Sequence, residues 1–167
     1  MTVLADEQAC LQRERHAVLY LSLKICKSGT WAANQQGVRY ELQKAWLALG
    51  IPASAVPAWF APQCRDIVMR TLRDDELPGV LGAMTRALQE IHGRPVWVLI
   101  DEYDAPIQTA WQHGFYREAV DFLRPFLGEA LKDSSCVVRA VMTGILPGRQ
   151  GGHFLRIERR RRGHGAQ

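Results

Sequence analysis

Short apolar runs alternate along this chain with stretches in which apolar residues recur every three or four positions. Ala17-Val18-Leu19-Tyr20-Leu21-Ser22-Leu23 is short and mostly apolar, and it runs into Lys24 and a Ser28-Gly29 turn signal. That pattern predicts a strand buried on both faces. From Thr30 to Leu49 the spacing changes to steps of three and four through Trp31, Val38, Leu42, Ala45, Trp46 and Leu49, and Gly50 and Pro52 stop it. A long helix with a glycine cap is expected there. Residues 51–62 are rich in proline and small residues and read as a loop, and residues 63–72 read as a short helix. Asp74-Asp75-Glu76 offers a helix start, followed by the stripe Leu77, Val80, Leu81, Met84, Leu88 and Ile91 up to Gly93. A second strand is predicted over residues 95–100. Helical spacing returns over Gly114–Leu131 through Ala119, Phe122, Leu123, Phe126, Leu127 and Ala130, with Pro125 placed to kink it. A third strand, residues 136–142, ends at Thr143-Gly144.

Strand, helices, strand, helix, strand is the order of a parallel α/β sheet with right-handed crossovers. Such sheets bind ligands beyond the carboxyl ends of their strands. Two strand ends deliver polar residues there: Asp101-Glu102-Tyr103-Asp104 after the second strand, and Thr143-Gly144 after the third. Three carboxylates within four positions repel one another, and a divalent cation would relieve that repulsion.

Charge narrows the alternatives. The chain has 167 residues, 47% of them hydrophobic, which is sufficient for one domain with a real core, and its formal net charge is +4. Six of the 21 basic residues (Arg149, Arg156, Arg159, Arg160, Arg161 and Arg162) and one of the 17 acids (Glu158) fall in residues 147–167. The remainder is close to neutral, so the body of the chain is not a polyanion binder by charge. Cys10, Cys26, Cys64 and Cys136 form no CxxC pair, against a zinc ribbon or redox motif, and they suit a reducing compartment. No apolar stretch is long enough to span a membrane and the amino terminus lacks a signal-peptide core, so a cytoplasmic location is expected.

Buried aliphatics ending in adjacent acids are how a P-loop NTPase presents its Walker B element: the first acid helps hold Mg²⁺ and the second polarises the attacking water. The bland alternative is a set of acids capping the next helix. A longer string is more specific. LIDEYDAPI, then Ala110, Gly114-Phe115-Tyr116, Leu131-Lys132-Asp133 and Ala140-Val141-Met142-Thr143-Gly144-Ile145-Leu146, resembles the predicted AAA-ATPase-like family of bacterial proteins, whose members often carry a PD-(D/E)xK-type nuclease domain. Val18-Leu19-Tyr20-Leu21-Ser22-Leu23-Lys24 is similar to the family's PVIxLSLK strand, with His16-Ala17 where a proline is usual.

The resemblance implies a partial P-loop NTPase fold of the additional-strand type, a three-layer αβα sandwich with about three parallel strands retained. It implies ATP and Mg²⁺ as cofactors of the intact protein, Asp101 as the metal-holding acid, Glu102 as the catalytic base, and Thr143 as the sensor that contacts the γ-phosphate or the lytic water. Nucleotide is the implied partner, with nucleic acid reached through the nuclease domain. Asp104 is weighed as a helix N-cap ahead of a catalytic role, Tyr103 as a packed aromatic, and Lys132 and Arg139 as surface charges ahead of arginine-finger-like groups.

Two departures shape the expectation. No GxxxxGK[ST] loop is present, whereas the family carries an RPRRFGKS-like one upstream of the region matched, so the chain reads as an amino-terminally truncated fragment that is inactive alone. In that fold the third strand would then be an open edge. Past Leu146 the family continues much like RVAKESIFSGLNN. Pro147–Arg159, reverse-translated with degenerate codons and moved by one base, permits R-V-A-R-E-A-I-F-S-G-L-N-D. The expected organisation is therefore a partial ATPase-like domain, 1–146, and a basic, disordered, out-of-frame tail, 147–167. Two competing functions follow: a non-catalytic nucleic-acid-binding module acting through the Arg-rich tail, and a metal-dependent phosphoesterase using Asp101, Glu102 and Asp104.

Overall fold

The structure, a computed structural model, describes residues 16–131, 135–144 and, as a strand, 153–158. Its element order is β1 (Ala17–Ser22), α1 (Trp31–Leu47), a 3₁₀ turn (Ala53–Ala55), α2 (Ala61–Met69), α3 (Leu77–His92), β2 (Val96–Asp101), α4 (Ala105–His113), α5 (Tyr116–Leu131), β3 (Val137–Gly144) and β4 (His153–Glu158). One sheet holds all four strands in the order β1-β2-β3-β4. β1, β2 and β3 are mutually parallel, with Ser22 level with Asp101 and Ile100 level with Met142, and β4 runs antiparallel to β3. The chain is an α/β protein built on three parallel strands, as its sequence pattern predicts.

Helix boundaries follow from local chemistry. Thr30 caps α1 by accepting the Ala33 amide on its hydroxyl at 3.3 Å. Gly93 and Gly114 close α3 and α4 at φ +61° and +80°, a conformation that glycine adopts without steric cost. Gly114, read from sequence as the start of a helical stretch, thus ends one helix, and the next begins at Tyr116. Pro125 lies inside α5, which continues through it. The acids before α3 turn to arginines instead of capping the helix: Asp74 pairs with the buried Arg39, and Asp75 with Arg73 at 2.9 Å.

Two expectations change. β1 is buried on one face only: Leu19 and Leu21 are inside, whereas Val18 and Tyr20 are 37% and 53% exposed. Successive parallel crossovers keep one hand, so a strand order that advances steadily places every connecting helix on the same face. The core accordingly joins Leu19, Leu21, Val98, Ile100, Ala140 and Met142 to α1, α2, α3 and α5, and among the described residues the helices form one layer. The open edge is also elsewhere. β3 pairs with β4 along Arg139–Gly144, which satisfies its outer backbone groups, and the unpaired described edge belongs to β1. β4 lies within the 147–167 stretch, and Arg159, Arg160, Arg161 and Arg162 fall outside the described residues.

Candidate functional site

Parallel strands end together, so β2 and β3 carry their last residues to one edge of the sheet. Asp101 is the last residue of β2 and Thr143 the penultimate one of β3. The Thr143 hydroxyl donates to Asp101 Oδ1. The Tyr20 hydroxyl of β1 approaches Oδ2 of the same carboxylate at 3.4 Å, a long contact. Main-chain bonds lock the edge around them: the Leu23 amide donates to the Asp101 carbonyl at 2.9 Å, and the Tyr103 amide to the Thr143 carbonyl at 3.1 Å. The sequence reading pairs Asp101 with Thr143, and the structure brings them into direct contact on neighbouring strands.

Glu102 has a different partner. Its φ of +51° places a side-chain-bearing residue in the left-handed region, a strained conformation that costs about 1–2 kcal/mol and turns the chain sharply out of β2. Its carboxylate meets Lys27 Nζ at 3.1 Å, the two side chains being 33% and 53% exposed. Lys27 sits on the β1–α1 loop, which Asn34 staples from below. The Asn34 side chain, 1% exposed, accepts the Ser28 amide at 3.2 Å and donates to the carbonyls of Ser28 and Thr30 at 2.8 and 3.2 Å. Tyr20 and Lys27 are site neighbours that sequence reasoning missed. Tyr20 carried a weak signal, a polar-tipped aromatic two residues before a strand end, and Lys27 carried none.

The rest of the DEYD run is structural. Asp104 occupies the N-cap position of α4, but its side chain makes no capping bond to a backbone amide. It is 7% exposed and accepts instead from the Gln108 amide. Tyr103 packs against the core, in keeping with a packed aromatic. Both press on Gly144. A Cβ there would stand 2.9 Å from Asp104 Cγ and 3.0 Å from Tyr103 Cε1, which explains a glycine directly after Thr143. Arg139 lies further back on β3, level with Trp97, and its guanidinium carbon is 4.8 Å from the indole centroid. It is a stacked cation rather than a freely solvated charge. Lys132 lies outside the described residues. Among the described residues no three His, Cys, Asp or Glu side chains gather into a metal cluster, so Asp101, Glu102 and Asp104 do not by themselves form one.

A parallel α/β sheet here presents an acid, a hydroxyl and an ion-paired glutamate at its carboxyl edge, the edge at which open α/β sheets in general bind ligands. The family described as Predicted AAA-ATPase (AAA-ATPase-like) matches residues 2–152, and the chain belongs to it. No curated protein and no solved structure matches the chain. No helix among the described residues is long and apolar enough to cross a membrane.

Proposed function

We propose that this chain supplies the acid and sensor groups of an ATP-hydrolysing site. The observation that carries this reading is the contact between Asp101 and Thr143 on adjacent parallel strands. Asp101 and Thr143 offer only oxygen donors, and Mg²⁺ takes one or two carboxylates, water and phosphate oxygens, so the donor set fits that ion. Bound there, Mg²⁺ would neutralise charge developing on the phosphates. Asp101 would hold the ion, and its hydrogen bond with Thr143 sets which carboxylate oxygen remains open. Thr143 would orient the terminal phosphate or the attacking water. Glu102 would accept a proton from that water once its carboxylate leaves Lys27. The two acids thus act as a Walker B pair.

Family membership supports the nucleotide. Scattered cysteines with no CxxC pair favour a reducing, cytoplasmic setting. Nucleic acid enters this reading only through the nuclease domain that the family resemblance implies. The test is to place the family's RPRRFGKS-like strand and loop ahead of Met1 and assay ATP hydrolysis with Mg²⁺. Glu102→Gln should retain nucleotide binding and lose turnover, and Asp101→Asn should lose the Mg²⁺ dependence of binding. Hydrolysis that survives both substitutions would refute the assignment.

A further inference from the structure

The last turn of α1, the loop that follows it and α2 enclose a cavity of about 620 Å³, within the range of about 300–1,000 Å³ that small-molecule sites occupy. None of Tyr20, Asp101, Glu102 and Thr143 lines it. Trp46, 3% exposed, forms its inner wall and packs edge-on against Phe60 with ring centroids 5.1 Å apart. Leu47 and Met69, on different helices and 56% and 67% exposed, stand at its rim. The walls are tied to one another. Gln43 Nε2 donates to the Val68 carbonyl at 2.5 Å and the buried Arg39 Nε to the Leu72 carbonyl at 2.8 Å, which fixes α2 and the chain after it on α1. The connecting loop is braced by amides of Ala55 and Phe60 on the carbonyls of Pro52 and Pro57, each at 2.9 Å. A cavity held in this way is preformed, so a ligand does not have to order it.

We propose that this cavity binds a small monocarboxylate with an apolar body, its carboxylate on the Arg65 guanidinium and its apolar part against Trp46 and Val68. Charge selects the anion. Arg65 is the only charged residue that lines the cavity, and among the described residues it has no ion pair, whereas Arg39 and Arg73 are held by Asp74 and Asp75. Burial pushes the Cys64 thiol in the wall up from 9.0, so it stays neutral at pH 7 and sets no negative charge against an anion. One guanidinium balances one negative charge and presents a fork that matches two carboxylate oxygens, whereas a phosphate monoester carries about −1.5 to −2 at that pH. The remaining lining is apolar apart from that thiol, which rewards an aliphatic or aromatic body and rejects a polar one.

Isothermal titration of the whole chain with decanoate, decylammonium and 1-decanol, each below its micelle or solubility limit, tests this. Decanoate should bind saturably at one per chain and more tightly than the other two. Octanoate and hexanoate should bind successively more weakly, by up to about fourfold per methylene removed. Arg65→Ala should weaken decanoate about tenfold and leave decanol unchanged. Ala61→Phe, at an exposed position of the lining, should fill the cavity and abolish decanoate binding with an unaltered circular dichroism spectrum. Decanoate uptake that does not saturate, decylammonium bound as tightly as decanoate, or wild-type affinity for decanoate in Arg65→Ala would each overturn the proposal. The comparison of the three ligands on the unmodified chain decides the matter even if both variants fail to fold, and its outcome does not depend on the nucleotide site.

Discussion

Gly144→Ala tests the packing that holds the candidate site together. The added Cβ would stand 2.9 Å from Asp104 Cγ and 3.0 Å from Tyr103 Cε1, whereas carbon atoms in good contact lie about 3.5–4.0 Å apart. Both neighbours are restrained. Asp104 is 7% exposed and bonded to Gln108, and Tyr103 packs against the core, so neither can swing into solvent without losing its own contacts. Overpacking of this kind costs about 1–3 kcal/mol, and the lower backbone entropy of alanine in the unfolded chain returns about 0.4–1 kcal/mol. A net loss of about 1–2 kcal/mol should lower the melting temperature by about 2–8 °C in a chain of this length. Urea titration followed by circular dichroism should show a lower midpoint at an unchanged slope. The clash has a named partner, so a double-mutant cycle is decisive: in an Asp104→Ala background the cost of Gly144→Ala should fall by about 1 kcal/mol or more. An unchanged midpoint, or strictly additive effects of the two substitutions, would refute the reasoning.

Three further outcomes are expected. Asn34→Ala removes three hydrogen bonds from a residue 1% exposed and should destabilise the fold by about 2–3 kcal/mol in denaturant titration, with faster amide exchange at Ser28. Glu102→Gly relieves a φ of +51° at the expense of one surface ion pair, so stability should hold or rise by up to about 1 kcal/mol, while on the proposed function ATP hydrolysis by the loop-bearing protein should be lost. The Cys26 thiol, held neutral chiefly by burial and secondarily by the nearby Glu41 carboxylate, is pushed up from 9.0 to about 12. Because the folded value is the higher one, its contribution to stability is whole below pH 9.0 and falls as pH rises from there towards about 12. Cys26→Ala should flatten that part of the stability profile, and in the native wild-type chain Cys26 should resist alkylation at neutral pH.

Local patterning alone made much of this protein legible. Short apolar runs bounded by turn signals marked the three parallel strands, and three-to-four-residue spacing marked α1, α3 and α5, because a helix buried on one stripe leaves its repeat in the chain. The run of apolar residues into Asp101 and the Thr143-Gly144 strand end likewise marked the carboxyl edge, because in parallel strands chain direction fixes which ends meet. Other features were decided only in three dimensions. The exposure of Val18 and Tyr20 depends on which face the helices occupy, a consequence of crossover hand and strand order that a six-residue apolar run cannot encode. The pairing of Lys27 with Glu102 joins residues far apart in sequence, across a loop that Asn34 holds rigid. The requirement for glycine at 144 arises from two side chains of another strand's loop. A sequence records the periodicity of its own segments, whereas these contacts depend on which segments the sheet sets side by side.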